Sequence, residues 1–288
     1  MSFQVLNTSG YARRGELTTK TCTVQTPVFM PVGTYGTVKG LTPEHLHDIG
    51  FEIILGNAFH LHQRPGLETI KKFNGLHDFM GWNKSILTDS GGFQIWSLND
   101  LRKITEEGVE FKSPLDGSKI FMSPEDSIDT QLTLNSDIIM AFDECTDYPS
   151  SYEDAEQSMH LTHRWTERSL NYFQKHQKGH LLFGIVQGGM HEELRKQSLA
   201  FMNNLQLDGI ALGGLSVGEP KAEKTKILKC LAPMLPENKA HYVMGVGTPE
   251  ELVEGVRYGI DMFDCVMPTR NARNGFLYTS TGILKIRN

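Results

Sequence analysis

The chain has 288 residues, of which 39% are hydrophobic and 22% charged, and its formal net charge is −6 at pH 7. This composition predicts a packed globular core and argues against a broadly basic coat for nucleic acid, while a local basic patch is compatible with it. The sequence contains no apolar run of ~18 residues and no charged-then-apolar leader, so we expect a soluble cytoplasmic protein outside the membrane. Four scattered cysteines without a CxxC pair argue against a thiolate zinc site within these residues.

The chain begins with alternating apolar and polar residues. Two such pieces, Phe3–Asn7 and Thr21–Val32, flank Arg13-Arg14-Gly15 and predict an antiparallel lead-in. Strand-like apolar runs then alternate with helix-like stretches. The predicted strands are Pro27–Val32, Glu52–Gly56, Ser85–Thr88, Asp137–Phe142, Leu181–Val186, Gly209–Leu212, His241–Val246 and Asp261–Met267.

Helices are predicted between these strands. Three of them open with a hydroxyl cap followed by proline, at Thr42, Ser123 and Thr248. Eight strands alternating with helices predict a parallel sheet, most economically a closed (β/α)8 barrel, with a doubly wound open sheet as the alternative. Gly108–Phe121 is predicted to be a hairpin inserted after the third strand. Because no linker or repeat interrupts the pattern, we expect residues 1–288 to form one catalytic domain.

Unusual polar residues and glycines come at the ends of the predicted strands. In a barrel these ends meet on one rim, where barrel enzymes carry their active sites. We therefore expect them to line one mouth. The groups, from the second strand to the eighth, are Asn57 with His60, Asp89–Gln94, Asp143–Cys145, Gln187–Gly189, Gly213–Glu219, Gly245–Gly247 and Asp264.

Three aspartates are expected in this mouth: Asp89, Asp143 and Asp264. Each has an ordinary pKa of ~3.9, so three anions in one pocket repel unless they have separate tasks or cationic partners. A carboxylate can attack an electrophilic carbon, carry a proton, or accept two hydrogen bonds from an N–H/NH2 edge such as that of guanine. The sequence alone does not distribute these tasks among the three.

Other residues of the mouth suit a flat ligand. Gln187 offers both a donor and an acceptor, and Phe93, Met244 and Leu215 can sandwich a planar base. The glycines of the sixth group can equally serve tight turns or a phosphate cradle. Cys145 is interpreted as pocket lining because no histidine is adjacent to activate it.

The segment after the eighth strand carries a local positive charge. Pro268 is predicted to end the strand, and Thr269–Gly275 is predicted to be a loop with Arg270 and Arg273 and no acid. Two guanidinium groups beside a carboxylate suit a phosphate-bearing substrate. The alternative is that Asp264 simply forms an ion pair with one of these arginines.

The histidines give a weaker signal. His160 and His163 have the spacing of metal ligands on a helix, but without a third ligand nearby they are interpreted as surface or core residues. His60 is predicted to support the pocket rather than to act on a substrate.

Five motifs in order resemble the tRNA-guanine transglycosylases, also called the queuine tRNA-ribosyltransferase family. The likeness extends from the N-terminus to the end of the chain and implies a (β/α)8 barrel that exchanges a guanine in tRNA for a deazaguanine. The motifs are D-S-G-G-F-Q (Asp89–Gln94), F-D-E-C (Phe142–Cys145), V-Q-G-G (Val186–Gly189), G-G-L-S-V-G-E (Gly213–Glu219) and D-M-F-D-C-V-M-P-T-R-N-A-R-N-G (Asp261–Gly275).

The resemblance implies a role for each matching residue. Asp264 matches the nucleophile that attacks ribose C1′ at the anticodon wobble position, and Asp89 matches the general acid/base. Asp143 matches the residue that binds the N1–H and 2-amino edge of guanine. The remaining matches are Gln187 and the Gly214 amide for the base carbonyl, the Leu215 carbonyl for an aminomethyl group, Phe93 and Met244 for stacking, and Arg270 and Arg273 for the tRNA backbone.

Cys145 and Val217 match the bacterial members, which use 7-aminomethyl-7-deazaguanine (preQ1) in queuosine biosynthesis. The resemblance also implies tRNAs with a G-U-N anticodon, a homodimer, and a C-terminal C-x-C-x-x-C…H zinc subdomain beyond Lys285-Ile286-Arg287-Asn288, where this sequence stops. Structural zinc is therefore expected only if the chain continues. Two other functions stay open: an N-glycosidase that hydrolyses the bond, and a non-catalytic tRNA-binding subunit, against which the presence of Asp264 counts.

Overall fold

A computed structural model describes residues 2–98 and 102–286. Arg287 and Asn288, after which the zinc subdomain is expected, lie outside the described residues. The strands are β1 (Phe3–Ser9), β2 (Ala12–Thr18), β3 (Thr23–Thr26), β4 (Val28–Met30), β5 (Val32–Gly33), β6 (Ile53–Gly56), β7 (Ser85–Thr88), β8 (Arg102–Ile104), β9 (Val109–Lys112), β10 (Lys119–Met122), β11 (Ile138–Met140), β12 (Leu181–Val186), β13 (Gly209–Leu212), β14 (Ala240–Val243), β15 (Met262–Asp264), β16 (Phe276–Thr279) and β17 (Gly282–Lys285).

Helices lie between most of the central strands. They are α1 (Pro43–Ile49), α2 (Ala58–Leu61), α3 (Leu67–Lys71), α4 (Leu76–Met80), α5 (Gly92–Trp96), α6 (Pro124–Leu134), α7 (Tyr152–His176), α8 (Glu192–Asn203), α9 (Lys221–Leu231), α10 (Pro249–Arg257) and α11 (Met267–Arg273). The caps predicted at Thr42, Ser123 and Thr248 are present, each followed by proline in the first turn. Within the described part of the chain, none of these helices has the length and apolar character needed to cross a membrane.

The central sheet is a parallel barrel. Its strand order is β4-β15-β14-β13-β12-β11-β7-β6-β5, and every pairing in it is parallel. β4 and β5 are two parts of one strand on either side of Pro31, whose carbonyl accepts a hydrogen bond from Leu55 at 3.0 Å. The first strand of the barrel, formed by β4 and β5, therefore pairs with its last strand, β15, and with its second strand, β6, which closes the ring. The predicted (β/α)8 barrel is confirmed, and the open-sheet alternative is wrong.

Side chains of the barrel strands alternate between two hydrophobic clusters, as expected for parallel strands buried on both faces. Phe183 and Ile185 of β12 belong to the inner cluster, whereas Leu182 and Val186 pack outward against the helices. The inner cluster also contains Phe3, Leu17 and Val24 of the first three strands. The lead-in sheet thus plugs the amino end of the barrel and leaves the carboxyl end for a site.

The antiparallel lead-in is confirmed, but it has three strands, β1-β2-β3, and Arg13-Arg14-Gly15 lies inside β2 rather than between strands. The reason is tertiary. β2 alternates as a strand should, with Arg13, Gly15 and Leu17 buried on one face. Two of these buried positions hold an arginine, paired with a distant carboxylate, and a glycine, where a side chain would come within 2.8 Å of the Phe3 ring, so the apolar pattern does not reveal the strand. The hairpin predicted after the third barrel strand is present as β9 and β10. An additional strand, β8, pairs with β9 to give a three-stranded antiparallel sheet.

The segment with the two arginines differs from the prediction. Thr269–Gly275 is not a loop, because α11 spans Met267–Arg273. Pro268 lies in the first turn of that helix, where a missing N–H removes no helical hydrogen bond. The preceding strand ends at Asp264. A proline after a strand fits both patterns, so the sequence alone did not separate them.

A buried ion pair fastens the lead-in sheet to the barrel. Arg13 Nε donates to Asp261 Oδ1 at 2.9 Å and Nη2 donates to Oδ2 at 2.5 Å, and other guanidinium protons reach the carbonyls of Pro236, Glu237 and Lys239. Asp261 is fully buried, and its Oδ2 also accepts from the His241 amide. Removing one member of such a pair leaves the other charge unpaired in the interior.

Arg13→Met is therefore expected to lower the free energy of unfolding by about 3–5 kcal/mol. Urea titration followed by circular dichroism measures this change. The control is Lys119→Met, which breaks an exposed pair with Glu110 and should cost less than about 1 kcal/mol. Equal small losses for both variants would contradict the structural importance of the Arg13–Asp261 pair.

Candidate active site

The structure brings the three predicted aspartates to one rim of the barrel. Asp89 follows β7 directly, Asp143 follows β11 within three residues, and Asp264 is the last residue of β15. Asp143 accepts a hydrogen bond from Ser90 Oγ at 2.8 Å, which ties it to the residue next to Asp89. The charge of Asp264 contributes to raising the pKa of Asp89, so these two carboxyl groups interact as well. The predicted convergence of the three carboxyl groups is thus present.

Asp89 is buried and held by neutral donors. Asn57 Nδ2 and Gln94 Nε2 both donate to Oδ2, the second at 2.8 Å, and the Ala58 amide donates to Oδ1 at 2.9 Å. Burial is the main cause that raises the pKa of this carboxyl group to about 7, and the negative charge of Asp264 acts in the same direction. A carboxyl group with a pKa near neutrality can both give and take a proton.

Asp264 is half-buried at the rim. Its Oδ1 accepts from the Tyr242 hydroxyl at 2.5 Å and from the Gly245 amide at 2.7 Å, while burial raises the pKa of the group. Among the described residues, no arginine forms an ion pair with Asp264, so the alternative of an Arg270 or Arg273 partner is wrong. Two donors on one oxygen fix the carboxylate and leave Oδ2 available for a ligand.

Tyr242 was missed by the sequence analysis. It is fully buried inside the barrel and reaches the rim from β14, two residues before Met244. Period-two alternation places Tyr242 and Met244 on the same face of the strand. That alternation, applied to a polar-tipped aromatic residue close to a strand end, is the signal that could have found it.

Asp143 and Gln187 form a second, adjacent group. Gln187 Nε2 donates to Asp143 Oδ2 at 2.8 Å, and both side chains are buried. Burial raises the pKa of Asp143. Gln187 Oε1 is buried and has no hydrogen-bond partner within the described part of the chain. An unsatisfied buried oxygen beside a carboxylate is a costly arrangement unless a ligand completes it.

Glycines allow the side chains of this group to pack closely against the backbone. A Cβ at Gly92 would lie 2.6 Å from Asp143 Oδ1, and a Cβ at Gly214 would lie 2.5 Å from Gln187 Oε1. Gly214 also has φ +61°, which side-chain-bearing residues rarely adopt. The glycine pair 213–214 therefore allows the close approach of Gln187, in addition to making a turn.

The remaining predicted pocket residues have different environments. Leu215 is buried in the outer cluster, and Val217 lines a cavity of about 320 Å³ together with Gly214 and Gly189. Met244 packs partly buried against the inner cluster. Phe93 is 46% exposed at the rim, with its ring 5.1 Å from Trp96, so the structure does not show it closed over a slot.

Cys145 is buried, and burial raises the pKa of its thiol well above the usual range, with the Asp143 charge acting in the same direction. A thiol that stays protonated is a poor nucleophile, which agrees with a lining position. His163 is buried in the core, with Nε2 3.1 Å from Ser198 Oγ. His60 lies partly buried with its ring 5.0 Å from Tyr35.

The two arginines of α11 are exposed close to the rim, beginning six residues after Asp264. Arg273 Nη1 donates to the carbonyl of Lys39 at 3.1 Å, which joins α11 to the loop after β5. The resemblance places structural zinc in a subdomain after Asn288, and residues 2–98 and 102–286 themselves contain no group of three or more potential metal ligands.

Comparison with known proteins assigns a family to this fold and site. The family model described as queuine tRNA-ribosyltransferase matches residues 8–288. Proteins named queuine tRNA-ribosyltransferase are 60% identical in Dechloromonas aromatica (strain RCB) and 60% identical in Pseudomonas putida, each over 288 residues. The alignments cover 100% of this chain and 78% and 77% of those relatives.

A barrel with buried carboxyl groups gathered at its carboxyl-end rim defines the class as a (β/α)8 enzyme. The chain belongs to the queuine tRNA-ribosyltransferase family.

The hydrogen bond from Tyr242 favours the ionised form of Asp264, so its loss is expected to raise the pKa of that carboxyl group further. A hydrogen bond to a charged group contributes about 1.5–3 kcal/mol, equivalent to a pKa rise of about 1 to 2 in Tyr242→Phe. NMR titration of ¹³C-labelled aspartate side chains measures it. The control is Tyr278→Phe, which removes a hydroxyl that accepts from Asn271 of α11 at 3.1 Å and does not contact Asp264. An unchanged Asp264 pKa would show that the short contact has no electrostatic role.

Proposed function

We propose that the protein is a tRNA-guanine transglycosylase that replaces guanine at the wobble position of tRNA by preQ1, a step in queuosine biosynthesis. Membership of the family and the names of its relatives support the activity. The observation that carries the mechanism is the pair of interacting carboxyl groups, Asp89 and Asp264, held at one rim by different neutral donors. Different environments allow two carboxyl groups to perform different tasks.

In the proposed first step, Asp264 attacks ribose C1′ of the target nucleotide. The C1′–N9 bond breaks, the electron pair leaves with guanine, and an ester forms between the enzyme and tRNA. Tyr242 and the Gly245 amide hold Oδ1, so Oδ2 is the oxygen presented for attack. A second displacement by the incoming base at the same carbon gives net retention and exchanges one glycosidic bond for another.

Asp89 is proposed to move the proton of the base. It gives a proton to the departing guanine and takes one from the incoming deazaguanine. Forming the ester removes the negative charge of Asp264, which is one of the causes that raise the pKa of Asp89. The pKa of Asp89 therefore falls as the ester forms, and its proton passes more readily to the leaving base. Because the pKa of Asp89 changes with the charge of Asp264, the same residue can give a proton in the first step and take one in the second.

Base recognition is proposed for the second group. Asp143 is to accept from the N1–H and 2-amino group, while the second Nε2 proton of Gln187 and the Gly214 amide donate to the carbonyl oxygen. The Leu215 carbonyl is to receive the aminomethyl group of preQ1, with Cys145 and Val217 lining the pocket. Their support is the buried contact between Asp143 and Gln187 and the close packing of Gln187 against Gly214. Phe93 and Met244 are proposed to stack on the base, which requires Phe93 to move from its exposed position.

The tRNA is proposed to carry a G-U-N anticodon and to contact Arg270 and Arg273, which are exposed beside the mouth. Residues 1–288 are proposed to act as one catalytic domain, in the cytoplasm where the tRNA is. A homodimer is proposed on the resemblance alone, and light scattering of the purified protein tests it.

The function is tested by incubating the protein with tRNA and labelled guanine, which should place label at the wobble nucleotide. Asp264→Asn is expected to reduce labelling to background and to trap no covalent RNA adduct on denaturing gels, because a neutral amide is a poor nucleophile. Asp48→Asn, at an exposed position, serves as the control.

Release of free guanine with an abasic tRNA and no label would instead identify an N-glycosidase. Binding of tRNA without either product would identify a non-catalytic subunit. An adduct that survives in Asp264→Asn would move the nucleophile to Asp89.

The pH dependence follows from the proton on Asp89. Its pKa is about 7, so kcat/KM for tRNA is expected to fall on the alkaline side of neutrality as the free enzyme loses that proton. The hydrogen bond from Asn57 favours the anion, so Asn57→Ala should raise the pKa of Asp89 and move this alkaline limb to higher pH. Asn238→Ala, an exposed residue near the amino end of the barrel, should leave the profile in place. A limb that moves to lower pH would contradict the assignment.

A further inference from the structure

One charged side chain beside the site, that of Arg195, takes no part in the proposed attack, proton transfer or base recognition. Arg195, on the first turn of α8, is fully buried. Its Nε donates to the Gly189 carbonyl at 2.7 Å, and its Nη1 donates to the carbonyls of Val186 at 2.8 Å and Gly213 at 2.7 Å. Its Nη2 lies 3.4 Å from the Gly214 carbonyl. The guanidinium therefore ties together the loops that follow β12 and β13.

Among the described residues, no carboxylate forms an ion pair with Arg195, in contrast to Arg13. Burial lowers the pKa of its guanidinium to about 10, so the group stays cationic at neutral pH. The charge of Glu219 favours the cation from a distance, but a buried charge without a directly paired carboxylate is still expensive to keep. Here the surroundings are backbone carbonyls of the two loops that border Asp143 and Gln187.

The orientation of one peptide group links this cation to the base. The Gly213 carbonyl and the Gly214 amide belong to the same peptide, and in a trans peptide the C=O and N–H bonds point in opposite directions. With its carbonyl held on Arg195 Nη1, this peptide must direct the Gly214 N–H away from the guanidinium. A cation at the carbonyl end also polarises the peptide and strengthens its N–H as a donor.

We propose that Arg195 is a positioning residue for base exchange, which acts through the Gly213–Gly214 peptide to orient and strengthen the amide that donates to the carbonyl oxygen of the base. This inference rests on the proposed function. When the C1′–N9 bond breaks, the departing guanine carries negative charge that spreads to its carbonyl oxygen. A preorganised donor at that oxygen stabilises the charge as it develops.

The test compares two bases. Guanine has the carbonyl oxygen and the N1–H, and 2-aminopurine lacks both. The N1–H is assigned to Asp143, which every variant keeps, so a change in preference between variants reports on the carbonyl contact. Their dissociation constants are measured by calorimetry for the unaltered protein, for Arg195→Met, for Arg195→Lys, and for the neighbouring Lys196→Met, an exposed position on the same helix whose partner is Glu193. Thermal melting checks that each variant is folded.

The unaltered protein and Lys196→Met should both prefer guanine. In Arg195→Met that preference is expected to fall about tenfold, the equivalent of losing one ordinary hydrogen bond. Arg195→Lys keeps a cation but cannot reach three carbonyls at once, so its preference should fall by a smaller factor, and it carries the test if the methionine variant does not fold. kcat for guanine exchange should fall while KM for tRNA is unchanged.

The proposal is overturned if a folded Arg195 variant keeps its preference for guanine, or if both bases bind more weakly by the same factor. Arg195 would then only stabilise the fold. Failure of the unaltered protein to bind guanine would instead contradict the proposed function itself.

Discussion

The candidate site depends on three carboxyl groups that are held largely out of water at the carboxyl end of the barrel, which costs free energy. Asp89 and Asp143 are each 6% exposed, and burial raises the pKa of both, as it does for Asp264. Within the described residues the three accept hydrogen bonds from neutral groups and not from a cation. Neutral donors reduce the cost of burial without neutralising the charge, so each group keeps the capacity to react.

The other end of the barrel shows the contrast. Asp261 lies three residues before Asp264, yet its two oxygens are occupied by Arg13 and the His241 amide. A carboxylate paired in this way fastens the lead-in sheet and has no free oxygen for chemistry. The same residue type thus stabilises the fold at the amino end of β15 and forms part of the candidate site at its carboxyl end. The difference comes from the partners each one meets.

The loops at the rim are shaped by backbone as much as by side chains. Gly214 adopts φ +61° and lies against Gln187, and the peptide before it is held by Arg195. Glu219 accepts from the amides of Ser216 and Val217, and Lys224 donates to Ser216 Oγ at 2.8 Å. The loop after β13 is therefore ordered by contacts on both sides. An ordered loop can present its amide and carbonyl groups to a flat ligand at a small entropic cost.

Much of this could be read in the sequence. Apolar runs at regular intervals, separated by capped helices, predict the eight barrel strands, because a parallel strand buried on both faces must be apolar throughout. The motifs at the strand ends predict the rim residues by the same geometry. Short charged strands such as β8, and Arg13 inside β2, carry no such periodic signal, and a proline after a strand did not distinguish a loop from the start of α11.

What the sequence by itself determined is the succession of barrel strands along the chain and the identity of the residues at their ends, since these follow from local periodicity. Closure into a barrel rather than an open sheet was decided by the pairing of β4 with β15 and of β5 with β6. Only the tertiary structure decided which groups meet. The hydroxyl of Tyr242 on Asp264, the three donors on Asp89 and the guanidinium behind Gly213 all join residues from different strands and helices. Such partnerships set charge and pKa, and they depend on distances in space that no pattern along one chain contains.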